Sequence, residues 1–292
     1  MAPLPQQRVK CSRPFTITGV DFAGPVMLRT VHIEVVEDLT SQAFIAALRR
    51  FMARRGKPNE VWSDNGTNFV GARKELATYV KYIGCGSVEE AISWHFNPPS
   101  APHFEGLWES AVKRAKYHLS RVLKDAQLTI TELQTLLCQI EACLNSRPLT
   151  PMSSDPSDLQ ALTPAHFLVG GPITMHLEPD LANEEQNSLR WWHYVQGLIQ
   201  SFWRRWQTEY LPQLQIRGKW TTNSQELAVD DIVIVKDENM PPAKWKLARV
   251  IDIHPGNDGR IRVVTIRTAN KTEMRRPVIK LCRLPVYETE KK

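Results

Sequence analysis

"EVWSDNGTNFVGA", residues 60–72, decides how the chain is read. A short apolar approach, Val61-Trp62-Ser63, runs into an Asn-Gly pair, the strongest short-range signal for a tight turn. An acid, Asp64, stands directly before that turn. Asp and Asn satisfy backbone groups in turns, so by itself the stretch favours a turn-forming role for Asp64. The alternative is that the turn exists to present the carboxylate, and the surrounding sequence has to decide.

Upstream, "FTITGVDF" (15–22) is β-rich, and "TVHIEVVED" (30–38) alternates apolar and polar residues as a half-buried strand does. Residues 41–56 predict a helix: Phe44, Leu48 and Phe51 share one face, Thr40 or Ser41 caps the start, and Gly56-Lys57-Pro58 ends it. "EVWS" then reads as a strand. Strand, strand, helix, strand is an α/β pattern.

Downstream come a mixed segment with Gly84 and Gly86, a short strand "ISWHF" (92–96), and the loop "NPPSAPHFEG". A helix is expected from about Leu107 to Lys124, packing through Val112, Ala115, Leu119, Val122 and Leu123. Another opens at Thr129-Ile130-Thr131-Glu132, a capping-box pattern, and Asn145-Ser146-Arg147-Pro148 stops it. Residues 149–187 read as a connector with a few anchored segments. Residues 189–211 form a long amphipathic helix in which Trp191, Trp192, Trp203 and Trp206 read as packing residues rather than base-stacking ones. From 226 to 284 several short strands separated by Pro and Gly turns suggest a small barrel.

At 292 residues, with 42% hydrophobic content and nine Trp, the chain can bury a substantial core. No apolar stretch reaches the ~20 residues of a membrane span. The start, Met1-Ala2-Pro3-Leu4-Pro5, lacks a signal-peptide pattern, so an intracellular protein is expected. Five scattered cysteines, Cys11, Cys85, Cys138, Cys143 and Cys282, predict neither a disulfide framework nor a zinc site. Net charge is +6, and residues 213–292 hold 16 Lys and Arg against 10 Asp and Glu, a surplus of six. A basic module after a near-neutral body points to a polyanion, most simply nucleic acid.

Three acids stand where an α/β sheet would present side chains: Asp21 on the first strand, Asp64 at the tip of the third, and Glu109 in the opening turn of the next helix. Oxygen-only ligands suit Mg²⁺. Two such ions ~4 Å apart can serve the attacking and leaving oxygens of phosphodiester chemistry, and they need about three converging carboxylates. Glu105 competes with Glu109 for the third place. Lys113 and Lys116 lie at i+4 and i+7 from Glu109, on one face opposite the apolar stripe, and this favours Glu109. Read alone, Glu109 and Lys113 would be an ordinary surface pair.

"VDFAGP", "RTVHIEVVEDLTSQAFIAALRRFMARRGKP", "SDNGTNF", "HFNPPSAPHFEGLWESAVKRAK" and "LNSRPLTP" together resemble the integrase of BEL/Pao-type retrotransposons. The wider relatives are retroviral integrases. Residues 190–220 and the DDIVIV, WKLARV and RRPVIKL segments look like the C-terminal domain of the same elements. The resemblance implies an RNase-H-like α/β core, a helical linker and a small all-β barrel of the Src-homology-3 kind. The implied layout is an N-terminal tail at 1–13, a catalytic core at 14–170, a connector and amphipathic helix at 171–222, a basic β-barrel at 223–286 and a tail at 287–292. It implies Mg²⁺ (or Mn²⁺) at Asp21, Asp64 and Glu109, and nucleic-acid contacts from Asn65, Asn68, Lys113 and Lys116, with Asn65, Gly66 and Asn68 also shaping the loop near the substrate. A nuclear location and a homo-oligomer acting on element ends and target duplex would follow from the family's task.

The sequence departs from the family's pattern in three places. The family carries a His/Cys zinc-binding segment before the core, and the chain begins too late to include one. Ten residues separate Asp21 from Val31-His32, where the family has a longer interval holding a whole antiparallel strand, so a core with one strand fewer is expected. Glu105 also stands where this loop usually has a small residue. These departures favour a DNA-binding remnant without chemistry, whereas the acid triad and lysine face favour a Mg²⁺-dependent polynucleotidyl transferase. A nuclease using water alone is a third reading.

Overall fold

The computed structural model describes residues 17–20, 30–83, 92–97, 116–124, 126–153, 158–176, 178–181, 191–214, 227–237, 239–257 and 259–284. The chain divides into two compact units, Met1–Glu141 and Ala142–Lys292.

In the first unit, β1 (Ile17–Val20), β2 (Glu60–Ser63) and β3 (Ser93–Phe96) form a parallel sheet in the order β1-β2-β3. Parallel neighbours need crossover connections. α1 (Ser41–Arg55) lies between β1 and β2 in the chain, and α2 (Thr67–Ile83) lies between β2 and β3. α1 starts where expected, with the Thr40 hydroxyl accepting the Ala43 amide, and ends at Gly56, whose φ of 85° only glycine adopts readily. Its apolar stripe packs on the sheet: Phe44 meets Phe69 edge-on at 4.9 Å and Trp94 at 5.7 Å. Val61, Phe69, Ala72 and Trp94 complete this core, and Trp94 Nε1 donates to Ser63 Oγ at 2.9 Å, so its one polar atom is satisfied.

Two expectations are corrected here. α2 fills the stretch read as a mixed segment, because the Asn-Gly pair opens a helix instead of a hairpin and Phe69 and Ala72 then fall on its buried face. Residues 30–38 do not join the three-stranded sheet, and only Val31 makes an isolated bridge. Their backbone groups go to side chains instead. The Ile33 amide donates to Glu141 Oε2 at 2.8 Å, and the Val35 carbonyl accepts from Arg50 at 3.1 Å. His32 is 2% exposed, with Nε2 3.0 Å from Glu34 and Nδ1 3.3 Å from Glu141. Arg50 and Arg54 also reach Glu34, and Arg55 reaches Glu141.

α3 (Ile130–Asn145) opens with the expected capping box: the Thr129 amide donates to Glu132 at 2.6 Å, and the Glu132 amide to Thr129 Oγ1 at 3.3 Å. Glu141 closes the first unit. Burial pushes its carboxyl up, but the His32 ring, the Ile33 amide and Arg55 outweigh that and hold it below the ordinary glutamate range.

In the second unit, a two-residue ladder pairs β4 (Thr150–Pro151) with β5 (Ala161–Leu162). A short helix, α4 (Pro164–Val169), and the long α5 (Trp191–Leu214) follow. The anchoring expected in the connector is visible at Gln200, whose side chain accepts from the Leu181 amide and donates to the Pro179 carbonyl, both at 2.7 Å. β6 (Ile232–Val235), β7 (Leu247–Pro255), β8 (Ile261–Thr268), β9 (Glu273–Pro277) and β10 (Leu281–Arg283) form an antiparallel sheet in the order β10-β6-β7-β8-β9. β9 and β10 are consecutive yet sit at opposite ends of that order, joined by the 3₁₀ turn Val278–Lys280. In a flat sheet those edges would lie about 19 Å apart, at roughly 4.8 Å per strand. One 3₁₀ turn spans about 6 Å, so the sheet must be rolled.

"IVIV" in β6 is buried on both faces. Val233 and Val235 pack inside the roll with Val250, Val264 and Ile266. Ile232 and Ile234 face outward against Leu211, Ala161, Cys282 and Leu284. Burial pushes the Cys282 thiol up to about 11. Trp203 and Trp206, with Tyr210 and Trp245, form a ring cluster, and the first two are 1% and 7% exposed. They are packing residues, as the helical spacing predicts; Trp192 is partly exposed.

Candidate functional site

The parallel sheet ends in register. Val20 of β1 and Phe96 of β3 both pair with Ser63 of β2. In open parallel sheets, ligands bind beyond the carboxyl ends of the strands. Asp64 is the first residue past the end of the middle strand, and it is exposed.

Asp64 is held by its neighbours in the chain. Ser63 is 1% exposed, and its hydroxyl donates to the Asp64 carbonyl at 3.0 Å while accepting from Trp94. The Gly66 amide donates to Asp64 Oδ1 at 2.8 Å. Gly66 is glycine for want of space: a Cβ there would sit 2.6 Å from Asn68 Oδ1 and 2.9 Å from Asp64 Oδ1. α2 starts at once, with the amides of Phe69 and Val70 both donating to the Gly66 carbonyl at 3.0 Å.

The remaining predicted residues divide as follows. Asn65 is exposed, and its side-chain amide donates to the Asn97 carbonyl at 2.8 Å. Asn68 is 8% exposed, so it lies below the surface of the turn, and its carbonyl accepts from the Ser41 hydroxyl at 2.9 Å. Lys116 is exposed on a helical stretch at 116–122, within the helix expected over 107–124. Asp21, Glu105, Glu109 and Lys113 lie outside the described residues. The carboxylate oxygen of Asp64 is a hard donor of the kind Mg²⁺ takes, and among the described residues no three His, Cys, Asp or Glu side chains group as a metal site.

Two contributors escaped the sequence reading. Asn97 is 4% exposed, and its amide donates to the Ser63 carbonyl at 2.9 Å while its own carbonyl accepts from Asn65. The signal for it was weak: a residue before Pro98, which favours extended backbone. Arg73, in the second turn of α2, places its guanidinium 5.5 Å over the Phe96 ring, setting a cation beside the end of β3.

Residues 190–284, covering α5 and the rolled sheet, match the model of a family of unknown function (DUF5641). No curated protein matches the chain. Among solved structures, the chain is similar to one in the cryo-EM structure of the simian T-cell lymphotropic virus intasome in complex with PP2A regulatory subunit B56 gamma. The identity is 14% and the TM-score 0.35, over 88% of this chain and 69% of that one. Among the described residues no helix is long and apolar enough to cross a membrane.

Proposed function

We propose that the protein is an integrase-like polynucleotidyl transferase of the BEL/Pao kind, with an RNase-H-like core and a C-terminal barrel of the Src-homology-3 kind, joining DNA ends to a target duplex. The observation that carries the reading is the strand register. Val20 stands opposite Ser63, and in the sequence each is followed by an acid, Asp21 and Asp64. Adjacent strands lie about 4.8 Å apart, the scale on which two carboxylates share divalent ions.

In this reading Asp21, Asp64 and Glu109 hold Mg²⁺ or Mn²⁺, which when bound supplies Lewis-acid stabilisation of the attacking and leaving oxygens. The protein's own contribution is positioning and charge compensation. Lys113 and Lys116 balance phosphate charge along the helix that carries Glu109. The 3′-hydroxyl of an element end attacks a target phosphorus in line, displacing a strand whose 3′ oxygen leaves with a proton. Water in the same place as nucleophile gives end trimming. Lys and Arg of the C-terminal sheet hold the DNA backbone, so binding is salt dependent and weakly sequence specific. The protein works on paired ends as a homo-oligomer in the nucleus.

The test is strand transfer on paired DNA ends with Mg²⁺ or Mn²⁺. Joined product that disappears in Asp64→Asn and Glu109→Gln supports the enzyme. A second reading, a DNA-binding remnant without chemistry, is favoured by residues 30–38, which stay outside the sheet. It predicts salt-sensitive DNA binding with no joined product.

A further inference from the structure

Asp64 is bracketed by two hydrogen bonds that end on one residue of the neighbouring strand. Before it, the Ser63 carbonyl accepts from the Asn97 amide at 2.9 Å. After it, the Asn65 side chain donates to the Asn97 carbonyl at 2.8 Å. The first is an ordinary rung of the parallel ladder. The second is not, because the turn at Asn65-Gly66 has already left the sheet and a side chain replaces the backbone donor. We infer that Asn65 is a positioning residue for Asp64: its amide continues the β2–β3 ladder one step past the strand end and fixes the main chain from which the carboxylate projects.

The neighbouring contacts assign the two oxygens of Asp64 different tasks. Oδ1 accepts from the Gly66 amide, so the turn fixes the rotation of the carboxylate. Oδ2 has no hydrogen bond among the described residues, so the placement of the carboxylate is set by the Gly66 contact and by the main chain at 63–65. Loss of the Asn65 amide would leave that main chain tied on one side only. Groups that orient a metal ligand without touching the metal typically contribute 10–100-fold in affinity or activity. The Asn65 amide is committed to Asn97; if it contacted DNA instead, its removal would weaken DNA binding and leave metal affinity unchanged.

This inference rests on the proposed metal-dependent function, and the experiment separates the two. Mn²⁺ binding to the full chain is followed by calorimetry for the wild type, Asn65→Ala and Asn65→Gln, with melting temperature and metal-free DNA affinity measured on each. The expected result is Mn²⁺ affinity about tenfold weaker in Asn65→Ala, partly restored in Asn65→Gln, with DNA affinity in EDTA unchanged. A melting temperature lowered without a change in Mn²⁺ affinity would reduce Asn65 to a structural role and overturn the inference. So would Asn65→Ala binding Mn²⁺ as wild type but DNA more weakly. Wild type that binds no Mn²⁺ would instead remove the functional reading itself, and the inference with it.

Discussion

The carboxylate of Glu141 accepts the backbone amide of Ile33 at 2.8 Å, joining residues 108 apart in the chain. In a sheet that amide would face the carbonyl of a neighbouring strand. Here a helix side chain takes the carbonyl's place, and Arg50 does the same for the Val35 carbonyl. An extended segment can therefore be satisfied and packed without belonging to the sheet. Because Glu141 also meets His32 and Arg55, its removal takes one partner from each of these and from the partly buried Ile33 amide. Glu141→Ala should lower the stability of the first unit by about 3 kcal/mol, as loss of one partner from a buried pair does. Denaturant unfolding would measure it, and a change within about 0.5 kcal/mol would match an ordinary surface pair instead.

The same carboxylate sets a pH dependence. Its folded-state value is held below the ordinary 4.5. Its ionised form therefore stabilises the fold fully above that value, and the contribution is lost as pH falls through the lower, folded-state value. Unfolding free energies measured between neutral and strongly acidic pH should show wild type losing an increment that Glu141→Gln never has. The two curves should converge at the acid end.

What the sequence discloses is the local part of this design. The start and stop of α1, the capping box at Thr129 and Glu132, and a strand in the apolar run of β6 are written in residues a few positions apart, and the structure has them. The alternation at 30–38 misled because its meaning depends on Glu141, which no local pattern can reveal. α2 was hidden by the Asn-Gly pair, whose usual association with hairpins outweighed the spacing of Phe69 and Ala72. Asp64 is legible as an acid at the tip of a strand, and the structure has it exposed just past the end of β2. The bond from Asn65 to Asn97 is not legible, since it requires knowing that β2 and β3 are neighbours.

Gly66→Ala tests whether the turn is built around the carboxylate. Gly66 does not need a positive φ, so the added methyl acts through its close contacts with Asn68, Asp64 and the Phe69 ring. Strand transfer should fall by about 10–100-fold, since small misplacements of reacting groups cost on that order. The melting temperature should move by a few degrees at most. Full activity in this variant would detach Asp64 from the chemistry.

Trp206→Ala distinguishes packing from base stacking. Trp206 stacks on Tyr210 at 5.0 Å and meets Trp245 edge-on at 5.7 Å. Truncation should cost the second unit about 3–5 kcal/mol while DNA affinity of the folded protein stays constant. An affinity loss of about 1–3 kcal/mol without destabilisation would mark a stacking platform instead.

The edge strand β9 carries Arg275 and Arg276, both exposed. If this strand lies along DNA phosphates, replacing both with Ala should reduce the slope of log affinity against log salt by about 2, since each phosphate contact contributes about 0.9. Filter binding at several salt concentrations measures this. An unchanged slope would move the DNA path to another face.

The central claim is that Asp21, Asp64 and Glu109 meet at one divalent-ion pocket, and anomalous diffraction from a crystal of the full chain soaked in Mn²⁺ tests it most directly. The predicted result is an anomalous peak at the end of β2, bound by the Asp64 carboxylate at about 2.1 Å and shared with Asp21 or Glu109. Carboxylates of Asp21 and Glu109 standing more than about 10 Å from Asp64, too far to share ions ~4 Å apart, would contradict it.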